Sequence, residues 1–93
     1  MGEHSVRILV TGRVQGVGYR AWTGAAARQR GIHGWVRNRT DGTVEALFVG
    51  EEEVVQMMRA ACHAGPMGAR VTQVDATVWE GDHPTDFRSL PTV

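Results

Sequence analysis

The stretch Gly12-Arg13-Val14-Gln15-Gly16-Val17-Gly18-Tyr19-Arg20 constrains this chain more tightly than any other part of it. An apolar, β-branched run (Val6, Ile8, Leu9, Val10) precedes it, and an alanine-rich segment from Ala21 to Arg28 follows, so it joins a strand to a helix. Three glycines within seven residues let the backbone curl and let a ligand approach it closely. A strand that curls into a helix start lines up unpaired N–H groups where the helix dipole is positive. That arrangement is an anion site, and Arg20 adds a planar, permanently charged fork matched to phosphate oxygens. The loop contains no Asp, Glu, His, Cys, Ser or Lys. It can hold a phosphate and has no side chain with which to attack one.

The remaining elements follow from patterning. Val6 to Thr11 reads as a first strand. A helix from about Tyr19 to Arg30 places Trp22, Ala25, Ala26 and Gln29 on one face and stops at Gly31. Gly24 inside it costs about 1 kcal/mol relative to alanine, which calls for close packing at that point. Trp35 to Arg39 and Thr43 to Val49 flank Asp41-Gly42, a strong hairpin signal, so these strands are antiparallel. Glu51-Glu52-Glu53 opens a second helix with the apolar stripe Val54, Met57, Met58 and Ala61, ended by Gly65-Pro66. Val71 to Glu80 forms a fourth strand, with Val74, Ala76 and Val78 sharing a face. Asp86 to Leu90 adds a short edge strand before Pro91. The order βαββαβ plus an edge strand predicts an α+β, ferredoxin-like α/β sandwich. Two helices cover one face of an antiparallel sheet, in a single domain over residues 1–93.

Composition removes several function classes. Ten basic and ten acidic residues leave a formal charge of zero, so there is no bulk pull toward nucleic acid or membrane. No apolar run approaches the roughly 20 residues that span a bilayer. The N-terminus lacks a signal-peptide pattern, which predicts a cytoplasmic protein, and Val6 breaks the myristoylation pattern begun by Met1-Gly2. Every basic residue is arginine, which excludes Schiff-base and Walker-type lysine chemistry. Cys62, the single cysteine, falls on the apolar face of the second helix and reads as a buried spectator. His4, His33, His63 and His83 lack metal-ligand spacing.

Two ligand classes fit the loop less well than phosphate alone. Gly16 to Ala21 matches G-x-G-x-x-A, with Asp41 roughly 20 residues on, as in dinucleotide folds. The hairpin between the second and third strands is incompatible with a parallel sheet, and Asp41 already serves the turn. An RNA-binding sheet needs interleaved aromatics, whereas Thr43 to Val49 carries only Phe48 and an acid. The plain alternative is a loop that merely turns tightly. A cation at a helix N-terminus is unfavourable by about 0.3–1 kcal/mol, which makes Arg20 most sensible beside a bound anion.

Gly34-Trp35-Val36-Arg37-Asn38 is the second informative stretch. Val36 and Asn38 share a strand face, so an amide sits where a core residue is expected. Asn38 either caps the strand end or, as both donor and acceptor, orients a water or a substrate oxygen. Together with Gly12 to Arg20 and with Asp41-Gly42-Thr43-Val44-Glu45, this stretch resembles the acylphosphatase family, and the element order matches from about Arg7 to Phe87. The resemblance implies a small cytoplasmic monomer that hydrolyses carboxyl-phosphate bonds without a metal or cofactor. Its substrate would be a small acyl phosphate and its product inorganic phosphate. It further implies that Arg20 and Asn38 are catalytic and that Gln15, Gly16, Val17, Gly18, Tyr19 and Arg20 cradle the phosphate. Tyr19 stands where phenylalanine is commoner in the family, so its hydroxyl needs a partner. The tail Ser89-Leu90-Pro91-Thr92-Val93 is less strand-like than is usual there.

Phosphoryl transfer asks mainly for positioning and for stabilisation of charge on the phosphoryl oxygens. A carboxylate leaves without a general acid, because its conjugate acid has a pKa near 4. The absence of Asp, Glu, His and Lys from the glycine loop and from Gly34 to Asn38 therefore points to a labile phosphate. With no protein base in view, the phosphate's own oxygen is the expected acceptor of the water's proton. A small anion-binding regulatory module is the open alternative. The resemblance also extends to a domain that begins a larger hydrogenase-maturation protein. Val93 ends the chain without the cysteine-rich segments expected downstream in that case, which favours a free-standing enzyme.

Overall fold

A computed structural model describes residues Glu3 to Val93. Met1 and Gly2, read above against a lipidation pattern, lie outside the described residues. The chain forms β1 (Glu3–Arg13), α1 (Tyr19–Gln29), β2 (His33–Asn38), β3 (Val44–Glu51), α2 (Glu52–Cys62), β4 (Arg70–Val78) and β5 (Phe87–Ser89). These are the seven elements that patterning predicts, in the predicted order. The strands lie side by side as β4-β1-β3-β2-β5, the ferredoxin-like arrangement with an added edge. Asp41 makes the hairpin turn by accepting from both the backbone N–H and the hydroxyl of Thr43, at 3.0 and 2.6 Å.

Alternation along the strands sorts the side chains onto two faces. Val6, Ile8 and Val10 of β1, Val36 of β2, and Val44, Ala46 and Phe48 of β3 point toward the helices. They pack there against Ala26, Ala27, Val55, Met58 and Cys62. The opposite face carries Trp35, Leu47 and Val49, closed over by Trp79 and Leu90. That cover is why β3 is buried on both faces although both helices sit on one.

Three expectations are corrected. The sheet is mixed rather than antiparallel, because β5 runs parallel to β2 with Gly34 opposite Phe87 and Val36 opposite Ser89. After β4 the chain crosses to the far edge of the sheet and enters it in the direction of β2. The tail then stays on that edge: Val36 accepts from Leu90 N, and Asn38 accepts from Val93 N. Next, α1 buries Tyr19, Thr23, Gly24, Ala26 and Ala27, while Ala25 and Gln29 are exposed and Trp22 is half-buried. An alanine-rich helix has too little hydrophobic contrast to set its own face. The Thr23 hydroxyl can go inward because it donates to the carbonyl of Tyr19 at 2.8 Å. Finally, Met57 of α2 is exposed, and Val55 takes the buried place beside Met58 and Cys62.

Candidate active site

The loop between β1 and α1 is held by alternate residues. Val14 is buried, Val17 packs against the core, and Tyr19 is sealed beneath the start of α1. The Tyr19 hydroxyl finds its partner in the carbonyl of Cys62, to which it donates at 2.6 Å. Burial, with the neighbouring Cys62 thiol, pushes the phenol far above its ordinary range, so it remains a neutral strut. Burial likewise pushes the Cys62 thiol up to about 12, which keeps it inert at neutral pH. The intervening residues Gly16, Gly18 and Arg20 face outward.

Gly16 and Gly18 have φ of 75° and 80°, in the left-handed region that favours glycine. A side chain at either position would meet nothing within 4 Å, so the space above the loop is open. Gly18 is the N-cap of α1 and supplies no side-chain cap, and the first turn of the helix holds no acid. The first N–H groups of the helix thus have no protein acceptor of the usual kind.

These residues line one wall of a cleft of about 430 Å³. Val36 and Asn38 of β2 and Ser89 of β5 line the other, and Gly24 and Arg28 of α1 also line the cleft. The structure therefore brings together Arg20 and Asn38, which lie 18 residues apart in sequence. Neither side chain hydrogen-bonds or ion-pairs with any described residue. Among the described residues no buried side-chain polar atom lacks a partner, so the free carboxamide of Asn38 reaches the cleft's solvent. The tail fixes its backbone, since Val93 N donates to the Asn38 carbonyl at 3.2 Å and Thr40 N to that of Val93 at 2.9 Å.

Gln15 lines the cleft, and its side chain also braces the loop. Its side-chain nitrogen donates to the carbonyls of Arg39 and Thr43, both at 2.8 Å, and so ties the loop to the β2–β3 hairpin. The side chains of Val17 and Tyr19 are turned toward the core, so these two residues have only backbone to present to a ligand. Arg28 and Ser89 were not legible as site residues. The signal available for Arg28 was Gly24, one turn earlier, where a Cβ would lie 3.0 Å from Arg28 Nη1. Among the described residues no three of His, Cys, Asp and Glu come together as a metal-holding group.

Comparison with known proteins gives the family. A family model described as acylphosphatase matches residues 6–89. An acylphosphatase of Rhodopseudomonas palustris is 50% identical over 82 residues, covering 88% of this chain and 83% of the relative. The crystal structure of acylphosphatase from Bacillus subtilis superposes with a TM-score of 0.84 at 39% identity, covering 92% of this chain and 97% of that one. An acylphosphatase structure from Coxiella burnetii superposes with a TM-score of 0.90 at 30% identity, covering 95% and 93%. The match runs through the glycine loop, the asparagine strand and both helices, over nearly the full length of each relative. This chain belongs to the acylphosphatase family.

Proposed function

We propose that this protein hydrolyses the carboxyl-phosphate bond of small acyl phosphates, releasing a carboxylate and inorganic phosphate, with no metal or cofactor. The observation that carries the reading is the cleft itself. It pairs an uncapped helix start and a free Arg20 with a free Asn38, and its lining contains no Asp, Glu, His, Cys or Lys. The backbone of Gln15 to Arg20 and the guanidinium of Arg20 bind the phosphoryl oxygens and stabilise the charge that spreads over them. Asn38, opposite on β2, holds the attacking water through its carboxamide. Phosphorus–oxygen cleavage expels a carboxylate, which needs no proton from the enzyme. The water's proton goes to a phosphate oxygen.

The protein acts as a cytoplasmic monomer, one domain over residues 1–93. Every group named in the mechanism comes from one chain, and no described helix is long and apolar enough to cross a membrane. Light scattering of the purified protein checks this, with 10.2 kDa expected for the monomer.

The decisive assay is hydrolysis of benzoyl phosphate in EDTA by the parent protein and by Arg20→Gln and Asn38→Ala. Rapid turnover by the parent, lost in both folded variants, is the expected result. Asn38→Ala should still bind inorganic phosphate, because the loop and Arg20 remain. A folded parent without turnover would leave an anion-binding module in place of an enzyme. Turnover abolished by EDTA would overturn the metal-free chemistry.

A further inference from the structure

Arg28 lies in the cleft although the mechanism above gives it no work. It stands on the same helix as Arg20, eight residues on, so the two Cα atoms are separated by about 12 Å along the axis. Its Nη2 donates to the carbonyl of Phe87 at 3.0 Å, which fixes the guanidinium against the β5 wall of the cleft. Gly24 leaves it room: a Cβ there would come within 3.0 Å of Nη1. A glycine in mid-helix sacrifices about 1 kcal/mol of helix propensity, and what it leaves clear is the space taken by this side chain.

The guanidinium has no carboxylate partner. Asp86 shares a neighbouring hollow with Arg28, but its carboxylate accepts from Arg88 Nε at 2.7 Å. The only protein acceptor that Arg28 has among the described residues is a neutral carbonyl. One cleft is thus lined by two cationic forks and no acid. A single phosphoryl group occupies one of them.

We infer that Arg28 is a specificity residue that binds a carboxylate at the far end of the acyl chain. The favoured substrates are then acyl phosphates of short dicarboxylic acids. This inference rests on the acylphosphatase reading of the same cleft. Arg20 and the loop take the phosphoryl end, and Arg28 takes the distal carboxylate through the donors that Phe87 leaves free. A monoacid of the same length makes only the first of these contacts.

The test uses two nonhydrolysable probes of equal carbon number, succinyl phosphonate and butyryl phosphonate, whose Kd values are measured by calorimetry at constant low ionic strength. The parent protein should bind the succinyl compound about tenfold more tightly. Arg28→Gln should bring the ratio close to one, and Arg28→Lys, which keeps the charge and loses the fork, should fall between. Arg59→Gln, which removes a charge from α2 outside the cleft, should leave the ratio as it is. A parent ratio near one, a ratio that survives in Arg28→Gln, or no binding of succinyl phosphonate overturns the inference. Benzoyl phosphate hydrolysis is followed on the same preparations. Turnover without the succinyl preference sinks the role of Arg28 alone. The preference without turnover sinks the hydrolase reading and keeps Arg28 as a carboxylate-binding residue.

Discussion

Two groups of arginines lie on opposite faces of the same sheet, and they have opposite surroundings. On the face away from the helices, Glu45 is buried and gathers Arg7, Arg37 and Arg39. Arg37 Nε donates to Oε1 at 2.7 Å, Arg39 Nη1 to the same oxygen at 3.2 Å, and Arg7 Nε to Oε2. Arg37 also lies over the ring of Trp35, 4.8 Å from its centroid. On the helix face, Arg20 and Arg28 line a cleft that contains no acid. Each arginine of the first group has a carboxylate partner within the chain. The second has no acid beside it in the cleft. The two groups are built from the same side chain and differ in whether a buried carboxylate lies among them.

Arg20→Gln breaks this contrast most strongly. Hydrolysis of benzoyl phosphate should fall by about 10³-fold in kcat/KM, since a fixed charge on the phosphoryl oxygens is lost. Its thermal midpoint should hold or rise slightly, because a cation leaves the unfavourable end of the helix dipole. A variant that is both inactive and strongly destabilised would make Arg20 part of the scaffold.

Glu45→Gln should do the reverse. Removing the charge leaves three guanidinium groups crowded without a counter-charge and turns an amide NH2 toward one of them, and unfolding in urea should show a loss of about 3 kcal/mol. The folded fraction should keep its benzoyl phosphate activity. Unchanged stability would mean that solvent already satisfies these arginines.

The same carboxylate sets a pH dependence. Burial pushes Glu45 up, but the hydrogen bonds from Arg37 and Arg7 outweigh it and hold the carboxyl below its ordinary 4.5. The folded state therefore binds fewer protons than the unfolded one near that pH. Its contribution is complete above 4.5 and lost as pH falls through the folded value. The stability gap between the parent and Glu45→Gln should narrow below pH 4.5, measured by urea unfolding across the acid range. A gap that stays constant there would place the stabilisation elsewhere.

The smallest effect sharpens the cleft side. Gly24→Ala should raise stability by about 0.5–1 kcal/mol through helix propensity, while its new methyl displaces the flexible end of Arg28 by a few tenths of an ångström. Stability should rise as the preference for succinyl over butyryl phosphonate weakens. A more stable variant with its preference intact would detach Gly24 from Arg28.

The site was legible where its residues are contiguous. Gly16, Gly18 and Arg20 announce an anion cradle because backbone conformation and helix-end charge are local properties. Asn38 was legible as an amide in the place of a core residue, two positions from Val36. The side-chain bonds of Gln15 were not legible, since they reach carbonyls 24 and 28 residues away. Arg28 depends on Phe87, 59 residues on, and nothing near it in the chain announces that contact. The parallel course of β5 escaped for a related reason. Its three residues carry no direction of their own, and only the crossing from β4 supplies one.

What the chain determines alone is what its nearest neighbours in sequence can enforce. Alternating β-branched residues make strands, Asp41-Gly42 makes a hairpin, and glycines ahead of an alanine-rich run make an uncapped helix start. These follow from steric and hydrogen-bond preferences over a few residues, and they suffice for the fold class and the glycine-loop wall of the cleft. Tertiary structure decided which charges are neutralised. The burial of Glu45 with its arginines and the exposure of Arg20 and Arg28 depend on which strand lies beside which. Coulomb and desolvation energies are set by distance through space rather than along the chain. Ten arginines look alike in the sequence, and only the fold gathers three of them on Glu45 and sets Arg20 and Arg28 in a cleft without an acid.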